Sequence, residues 1–264
     1  MEASNQDLPL LRSADGKPAL CLVTGATGYI GGRLIVELLK HGYRVRILAR
    51  NPERLKYHPW IDQVEVAEGD AQDRTALERA LAGVDVAYYL LHALMSKDNF
   101  ESQERTMAES FGEVAKECKV RRIVYLGGII APNEVMSPHL QARADTGEIL
   151  RASGVSTIEL RAGVVIGSGS ASFEMLRYLT ERLPIMTTPK WVKNRIQPIA
   201  VRDVLRYLAG AAAVPEKVSG TFDIGGPDVF TYAEMMQRYA KAAGLRRRII
   251  IPVPVLTPRL SSGW

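Results

Sequence analysis

Short apolar, β-branched runs alternate with longer amphipathic stretches from Ala19 to about Leu160. This alternation is typical of βαβ units, in which crossover helices join parallel strands. The runs predict strands at Ala19–Thr24, Arg44–Ala49, Val64–Glu68, Val84–Tyr89, Arg122–Leu126 and Thr157–Arg161. The stretches between them predict helices at Tyr29–His41, Asp73–Leu81, Asn99–Cys118 and Pro138–Ala152. Their number and order predict an α/β fold built on a doubly wound parallel sheet.

The regular alternation of strand and helix patterns ends after Arg161. The stretches "SFEMLRYLTERLP" and "VRDVLRYLAGAAA" predict helices, and "TFDIGG" predicts a short strand. The stretch "TYAEMMQRYAKAAG" predicts a helix with Thr231 as N-cap, Glu234 completing a capping box and Gly244 as the stop. We expect a small C-terminal α/β lobe laid over the carboxyl edge of the sheet. The predicted divisions are a mobile arm (1–18), a core (19–165), a smaller lobe interleaved with the core (166–254) and a tail (255–264).

Composition and charge exclude several classes of protein. With 264 residues, 47% of them hydrophobic, the chain can bury a core, so global disorder is excluded. The net charge of +5 is dispersed over groups such as Arg121-Arg122 and Arg246–Arg248. Because no basic stripe interleaves with aromatic residues, solvated faces and a small anionic ligand are favoured over nucleic acid.

Cysteine content and hydropathy indicate the cellular compartment of the protein. Cys21 and Cys118 are too few for a disulfide framework or a metal site, which indicates a reducing compartment. The N-terminus has no basic region followed by an apolar one, so it does not resemble a signal peptide. No window approaches the roughly 18 apolar residues of a membrane span. These features predict a cytoplasmic protein without a membrane span.

The stretch "CLVTGATGYIGGRL" places three glycines three residues apart between the first strand and the first helix. Gly25 permits a tight turn, Gly28 lets the backbone approach a diphosphate, and Gly31 allows close packing of the helix. Amide groups at the positive helix end then bind the phosphates. The alternative is a glycine-rich turn without a ligand, but the strand before it and the helix after it favour dinucleotide binding and a Rossmann sheet. The loop residues assigned to the cofactor are Thr24, Gly25, Thr27, Gly28, Tyr29, Ile30 and Gly31.

The residues at the end of the second strand indicate which dinucleotide binds. An acidic residue about 20 positions on would bind the ribose 2′-hydroxyl of NAD, whereas "ILARNPERL" has Arg50 there and Arg54 one turn later. A guanidinium suits a 2′-phosphate through charge-assisted hydrogen bonds. NADP(H) is therefore favoured over NAD(H). The alternative is that Arg50 only points into water.

Several motifs together resemble a known superfamily. The stretch "VTGATGYIGGRLIVELLKHGYRVRILARNPERL" and the later "EGDAQD", "LRAGVVIGSGSASFEMLRYL" and "FDIGGPDVFTYAEMM" are similar to the extended and atypical short-chain dehydrogenases/reductases, in the NmrA-like and complex-I-subunit-like branch. The similarity extends from Ala19 to Pro254. Some members of that branch continue past such a C-terminal tail, so residues 255–264 are interpreted either as a docking tail or as the end of a truncated chain.

The resemblance implies further cofactor residues. Asp70 and Ala71, after the third strand, would contact the adenine. Leu90, Leu91 and His92, after the fourth strand, would line the ribose and diphosphate. Ala162, Gly163 and Val164, after the sixth strand, would flank the nicotinamide.

The chain departs from the catalytic set of that superfamily. Active members have a serine at the end of the fifth strand and a Tyr-x-x-x-Lys pair on the next helix. Here Gly127-Gly128 replaces the serine, and "SPHLQARADTGEIL" places His139 and Arg143 at the spacing of the pair. These two residues are i and i+4 on one helix face, so Arg143 could bind ribose or phosphate while His139 relays a proton. His139 could equally be a first-turn surface residue.

Other candidates have weaker support. His92 and Gln197 are expected on the substrate side, whereas Tyr88 and Tyr89 fit a strand through packing alone. Three functions remain open: an NADP(H)-dependent oxidoreductase for a small carbonyl or quinone-like substrate, a non-catalytic NADP(H) sensor or assembly factor, and a sugar-nucleotide epimerase or dehydratase. Missing catalytic residues count against the third. Substrate and oligomeric state stay open.

Overall fold

The computed structural model describes residues 10–91, 100–130 and 137–252, and the side chains of Phe100, Lys190, Trp191 and Pro252 lie outside the description. The chain forms two compact units. Unit 1 comprises residues 1–161 and 202–223, and unit 2 comprises residues 162–201 and 224–264.

A seven-stranded sheet forms the centre of unit 1, and the hydrophobic pattern predicts six of its strands. Its strands are β1 (Leu20–Val23), β2 (Arg44–Ala49), β3 (Glu65–Glu68), β4 (Val86–Tyr89), β5 (Arg122–Gly128), β6 (Thr157–Ala162) and β11 (Gly220–Ile224). They lie in the order β11-β6-β5-β4-β1-β2-β3, and the pairs from β5 through β3 are parallel. The doubly wound parallel fold is therefore confirmed.

Four helices of unit 1 connect these strands, and a fifth begins at the boundary between the units. They are α1 (Tyr29–Lys40), α2 (Arg74–Leu81), α3 (Phe100–Glu117), α4 (Pro138–Ala152) and α6 (Val201–Ala211). Each predicted helix of this unit is present within two residues of its predicted bounds. Tyr89, Phe111 and Tyr125 pack edge to face in the core beside the sheet, so the tyrosines of β4 and β5 serve packing, as their strand positions predict.

The seventh strand comes from a distant part of the sequence. β11 contains the "TFDI" run that the sequence analysis assigns to the smaller, interleaved lobe. Thr221 donates a hydrogen bond to Glu159 of β6, and Asp223 pairs with Arg161 of the same strand. From the first pair to the second, the residue number rises by two in both strands, so β11 runs parallel to β6.

The described part of unit 2 contains three two-stranded sheets, two α-helices and a 3-10 helix at Lys190–Lys193. The elements are β7 (Val165–Ile166), β8 (Ile185–Thr188), β9 (Arg195–Ile196), β10 (Ile199–Ala200), β12 (Phe230–Thr231), β13 (Ile249–Pro252), α5 (Ala171–Arg182) and α7 (Tyr232–Ala242). Helix α7 begins with the predicted capping box of Thr231 and Glu234, and Gly244 beyond its end has a φ of +68°. Both end signals are confirmed.

Two of the clustered arginines are not on solvated faces. Arg122 is 1% exposed and Arg248 is 9% exposed, so the interpretation of the arginine groups as solvated is wrong for these two. The Arg122 guanidinium donates to the carbonyls of Ala211, Pro215 and Val218. Backbone carbonyls of neighbouring segments therefore replace water around this charge.

The N-terminal segment contacts the amino edge of the sheet. Arg12 and Pro18 form an antiparallel bridge, and the Ser13 hydroxyl donates to Asp85 at 2.5 Å. Asp85 also accepts from the Leu20 amide at 2.9 Å. The mobility assigned to residues 1–18 stays a prediction.

Candidate dinucleotide-binding site

The order of strands in the sheet reverses between β1 and β4, which lie side by side in its middle. In open parallel sheets, ligands bind outside the carboxyl ends of the strands at such a switch point. The glycine loop follows β1, and Leu90 and Leu91 follow β4. The most glycine-rich stretch of the chain therefore lies at the topological binding position.

Two glycines of the loop are required by close backbone contacts. Gly25 has a φ of +69°, and a Cβ there would lie 2.5 Å from the Leu90 carbonyl oxygen. A Cβ on Gly31 would lie 2.2 Å from the Gly25 carbonyl oxygen. Both distances are shorter than a van der Waals contact, so the loop, the end of β4 and the first turn of α1 fit together only with glycine at these positions.

The N-terminus of α1 presents backbone amides for which the described ranges supply no hydrogen-bond acceptor. Its N-cap is Gly28, which makes no side-chain cap, and its first turn contains no acidic residue. The amides of Tyr29, Ile30 and Gly31 precede the first intrahelical bond, from Gly32 to Gly28 at 3.1 Å. Together with the helix dipole they form a site for an anion. Among the described residues, a Cβ on Gly28 would meet only the Gly25 carbonyl oxygen, at 3.1 Å, so none of their side chains stands directly before these amides.

The threonines and the tyrosine of the loop have different surroundings. The Thr24 hydroxyl is buried, donates to the Tyr88 carbonyl and accepts from the Leu90 amide at 3.0 Å. Thr24 therefore joins the ends of β1 and β4, whereas Thr27 is exposed. The Tyr29 ring lies 4.0 Å from the Arg33 guanidinium carbon. Direct contact of these side chains with a cofactor stays a prediction.

Arg50 and Asp70 lie at the carboxyl ends of the paired strands β2 and β3. Arg50 Nη1 lies 3.9 Å from Asp70 Oδ2, and the Arg50 side chain is 78% exposed. Asp70 Oδ1 accepts from the Gln72 amide, and Ala71 is buried in the core. An exposed, loosely paired guanidinium can exchange its carboxylate partner for a phosphate. The structure thus brings together two residues that the sequence assigns to opposite ends of the adenosine.

The residues predicted for catalysis lie on α4. Ser137 caps this helix by accepting from the Leu140 amide, and His139 is exposed in its first turn. Arg143 is half-buried and donates from Nη2 to the Leu126 carbonyl of β5 at 2.8 Å. Tyr125 donates to the Arg143 carbonyl at 3.0 Å, and burial raises the pKa of Tyr125 to about 12. This phenol therefore stays protonated at neutral pH and acts as a fixed donor.

The remaining predicted site residues are outside unit 1 or outside the described ranges. His92 lies outside the described residues. Ala162, Gly163 and Val164 belong to unit 2, where Gly163 is exposed and its two neighbours are buried. Gln197, also in unit 2, donates from Nε2 to the Gly226 carbonyl at 2.7 Å. Contact of these residues with cofactor or substrate stays a prediction.

A buried carboxylate that sequence reasoning missed lies beside Gly127, one of the two glycines at the expected serine position. Glu159 is 3% exposed, pairs with Arg151 of α4 and accepts from Thr221 at 3.0 Å. A Cβ on Gly127 would lie 2.9 Å from Glu159 Oε1, and a Cβ on Gly147 would lie 2.6 Å from its carboxyl group. A side chain at position 127 would therefore require the Glu159 carboxyl group to shift. The sequence contains one signal of this buried carboxylate, because the predicted strand run "TIEL" has a glutamate between two apolar residues.

A family model described as NAD(P)H-binding matches residues 25–170, which include the glycine loop, Arg50, Asp70 and α4. Among curated proteins, the chain is 27% identical over 239 residues to the ceramide reductase of Caulobacter vibrioides, covering 88% of this chain and 73% of the relative. It is also 27% identical to the mitochondrial NADH dehydrogenase [ubiquinone] 1 alpha subcomplex subunit 9 of Arabidopsis thaliana, covering 88% of this chain but 60% of that subunit.

Solved structures share the fold. MoeE5 in complex with UDP-glucose and NAD has a TM-score of 0.71 at 19% identity and covers 89% of this chain and 85% of its own. The Citrobacter sp. triphenylmethane reductase complexed with NADP(H) has a TM-score of 0.67 at 22% identity and covers 89% and 79%. At these identities the likeness concerns the fold alone. Within the described ranges, no helix combines the length and apolarity needed to cross a membrane.

Proposed function

Since this chain belongs to the NAD(P)H-binding family, in the atypical short-chain dehydrogenase/reductase branch, we propose that it is an NADP(H)-dependent oxidoreductase acting on a small carbonyl or quinone-like substrate. The observation that carries this proposal is the uncapped N-terminus of α1, whose three unused amides lie at the switch point of the sheet. The glycine positions beside it leave room for a diphosphate.

The residues present fit a phosphorylated dinucleotide. The amides of Tyr29, Ile30 and Gly31 would bind the diphosphate, and Arg50 would bind the 2′-phosphate after leaving Asp70. The bound cofactor supplies a hydride. His139 would donate a proton to the substrate oxygen, a role that histidine often has in general acid–base catalysis. Arg143, held by the Leu126 carbonyl, stabilises the helix end that presents His139.

Arg50 provides the test of cofactor choice. We expect wild-type protein to bind NADPH more tightly than NADH, and Arg50→Gln to lower NADPH affinity about 30-fold, since bidentate charge-assisted bonds contribute roughly 2 kcal/mol. NADH affinity should not change. Isothermal titration calorimetry with both cofactors measures this, and Arg79→Gln, an exposed arginine in the last turn of α2, is the control. Equal wild-type affinities for the two cofactors would contradict the proposal.

His139 provides the test of catalysis. With NADPH and a panel of quinones, aldehydes and enones, we expect substrate-dependent oxidation at 340 nm, and His139→Ala should lower kcat about 100-fold. The KM for NADPH should change little. His41→Ala, which removes a histidine paired with Glu37 at the far end of α1, is the control. Turnover unchanged in His139→Ala would exclude the proton relay.

A non-catalytic NADP(H) sensor or assembly factor is the second candidate. It is favoured by the missing serine and Tyr-x-x-x-Lys set, because Glu159 occupies the space of a serine side chain at position 127. The similarity to a complex I subunit points in the same direction. NADPH binding without oxidation across the whole panel would support this function over the first. A sugar-nucleotide epimerase or dehydratase would need the tyrosine of the Tyr-x-x-x-Lys pair, and this chain has His139 at that position.

A further inference from the structure

A groove of unit 2 lies between α7 and β13 and has a volume of about 820 Å³. It is lined by Ala233, Glu234, Gln237, Arg238, Arg247, Arg248, Ile249 and Ile250. None of these residues belongs to the glycine loop or to α4. A volume of this size accommodates a small organic molecule rather than a single inorganic ion.

Two arginines of the groove are available to a ligand. Arg238 projects from α7, and Arg247 precedes β13; both are exposed. No carboxylate in the described part of the chain forms an ion pair with either guanidinium. The Arg238 guanidinium carbon lies 4.1 Å from the centre of the Phe230 ring, so stacking restrains this side chain. Two guanidinium groups from different elements can bind one phosphate or carboxylate together.

The other charged groups of the groove are already satisfied. Glu234 accepts hydrogen bonds from the Thr231 amide at 2.7 Å and the Thr231 hydroxyl at 2.9 Å, and these bonds lower the pKa of Glu234. Arg248 donates from Nε to the Thr180 carbonyl at 2.7 Å. Three arginines therefore line the groove beside one acid, Glu234, whose pKa is also lowered by the nearby charge of Arg238.

The wall of the groove is rigid and partly apolar. Gln237 donates to the Arg248 carbonyl at 2.5 Å and accepts from the Arg248 amide at 3.1 Å, so its side chain ties α7 to the start of β13. Ile249 is 54% exposed and lies two residues after Arg247, while Ile250 packs against the core of unit 2. An exposed isoleucine beside unpaired arginines is suited to a ligand with both an anionic and an apolar part.

We propose that this groove binds an anionic amphiphile, with its phosphate or carboxylate between Arg238 and Arg247 and its apolar chain along Ile249. The ligand can be a free phosphorylated or carboxylated molecule or the headgroup and upper chain of a membrane lipid, because both present the same chemistry. The proposal is independent of the dinucleotide site.

Dodecyl phosphate is the probe that tests the groove. Calorimetry with the full chain should give saturable binding, and the double variant Arg238→Ala/Arg247→Ala should lower affinity at least about tenfold. Arg246→Ala, an exposed neighbour that does not line the groove, should bind as wild type. Ile249→Ser should weaken dodecyl phosphate but leave inorganic phosphate unaffected. NADPH affinity of every variant should stay unchanged, which separates this test from that of the dinucleotide site.

Co-sedimentation distinguishes the two sources of ligand. Binding to vesicles of phosphatidylglycerol and phosphatidylcholine, lost in the double variant, assigns the groove to membrane lipid. Dodecyl phosphate binding without vesicle binding assigns it to a free amphiphile. No binding of dodecyl phosphate, equal binding by the double variant, or equal affinity for inorganic phosphate and dodecyl phosphate would overturn the proposal.

Discussion

Replacing Gly28 with alanine is expected to lower the affinity for NADPH about 100-fold while the protein stays folded. The new methyl group would meet only the Gly25 carbonyl oxygen, at 3.1 Å, so the chain can absorb it with a small shift. It would stand in front of the free amides of α1, however, and push a diphosphate away from them. Losing two hydrogen bonds to a charged group costs roughly 3 kcal/mol, which corresponds to the expected factor.

The structure offers a matched control for this substitution. A Cβ on Gly32 would also lie 3.1 Å from a backbone carbonyl oxygen, that of Ala26, but Gly32 lies beyond the free amides. Gly32→Ala should therefore bind NADPH nearly as wild type. Calorimetry measures both affinities, and circular dichroism verifies that both variants are folded. If Gly28→Ala bound as tightly as Gly32→Ala, the diphosphate could not lie at the N-terminus of α1.

Replacing Arg122 with alanine is expected to destabilise unit 1 by about 3 kcal/mol. This side chain is almost fully buried and donates to the carbonyls of Ala211 and Pro215 at 3.0 and 2.9 Å. Its removal leaves a cavity and buried acceptors without a donor. Urea unfolding followed by circular dichroism measures the loss. Arg122→Met should recover part of it, since methionine fills the cavity but donates no hydrogen bond.

Arg121→Ala is the control for Arg122→Ala. Arg121 has a side chain that is 35% exposed, pairs with Glu216 at 2.6 Å and with Asp85 at 3.8 Å, and donates to the Arg12 carbonyl at 2.9 Å. Exposed ion pairs contribute roughly 0 to 1 kcal/mol, so Arg121→Ala should have a small effect. Equal losses for Arg121→Ala and Arg122→Ala would mean that the buried hydrogen bonds of Arg122 contribute nothing to stability.

This pair of arginines also illustrates a limit of sequence reasoning. Both precede the same apolar run, and the local pattern assigns them to one solvated group. The partners that make Arg122 a buried residue lie 89 or more positions away along the chain. No local pattern reports such partners, because they are brought together only when α6 and the loop after it reach the start of β5.

The glycine at the expected serine position is a second example. The sequence shows that Gly127 departs from the catalytic pattern, but not why. In the structure the Glu159 carboxyl group, paired with Arg151, occupies the space that a side chain at position 127 would need. The glycine at position 127 thus faces a carboxylate that comes from the neighbouring strand and pairs with α4.

By itself, the sequence determined the order of strands and helices in unit 1, the turn from β1 into α1 and the capping box of α7. These features depend on side-chain periodicity and on contacts between residues within a few positions of each other, so the local sequence is enough to predict them. Only the tertiary structure decided which charged residues are buried, that residues 220–224 complete the sheet, and that Arg50 lies beside Asp70. Each of these depends on segments distant in sequence, whose proximity is a property of the packed sheet.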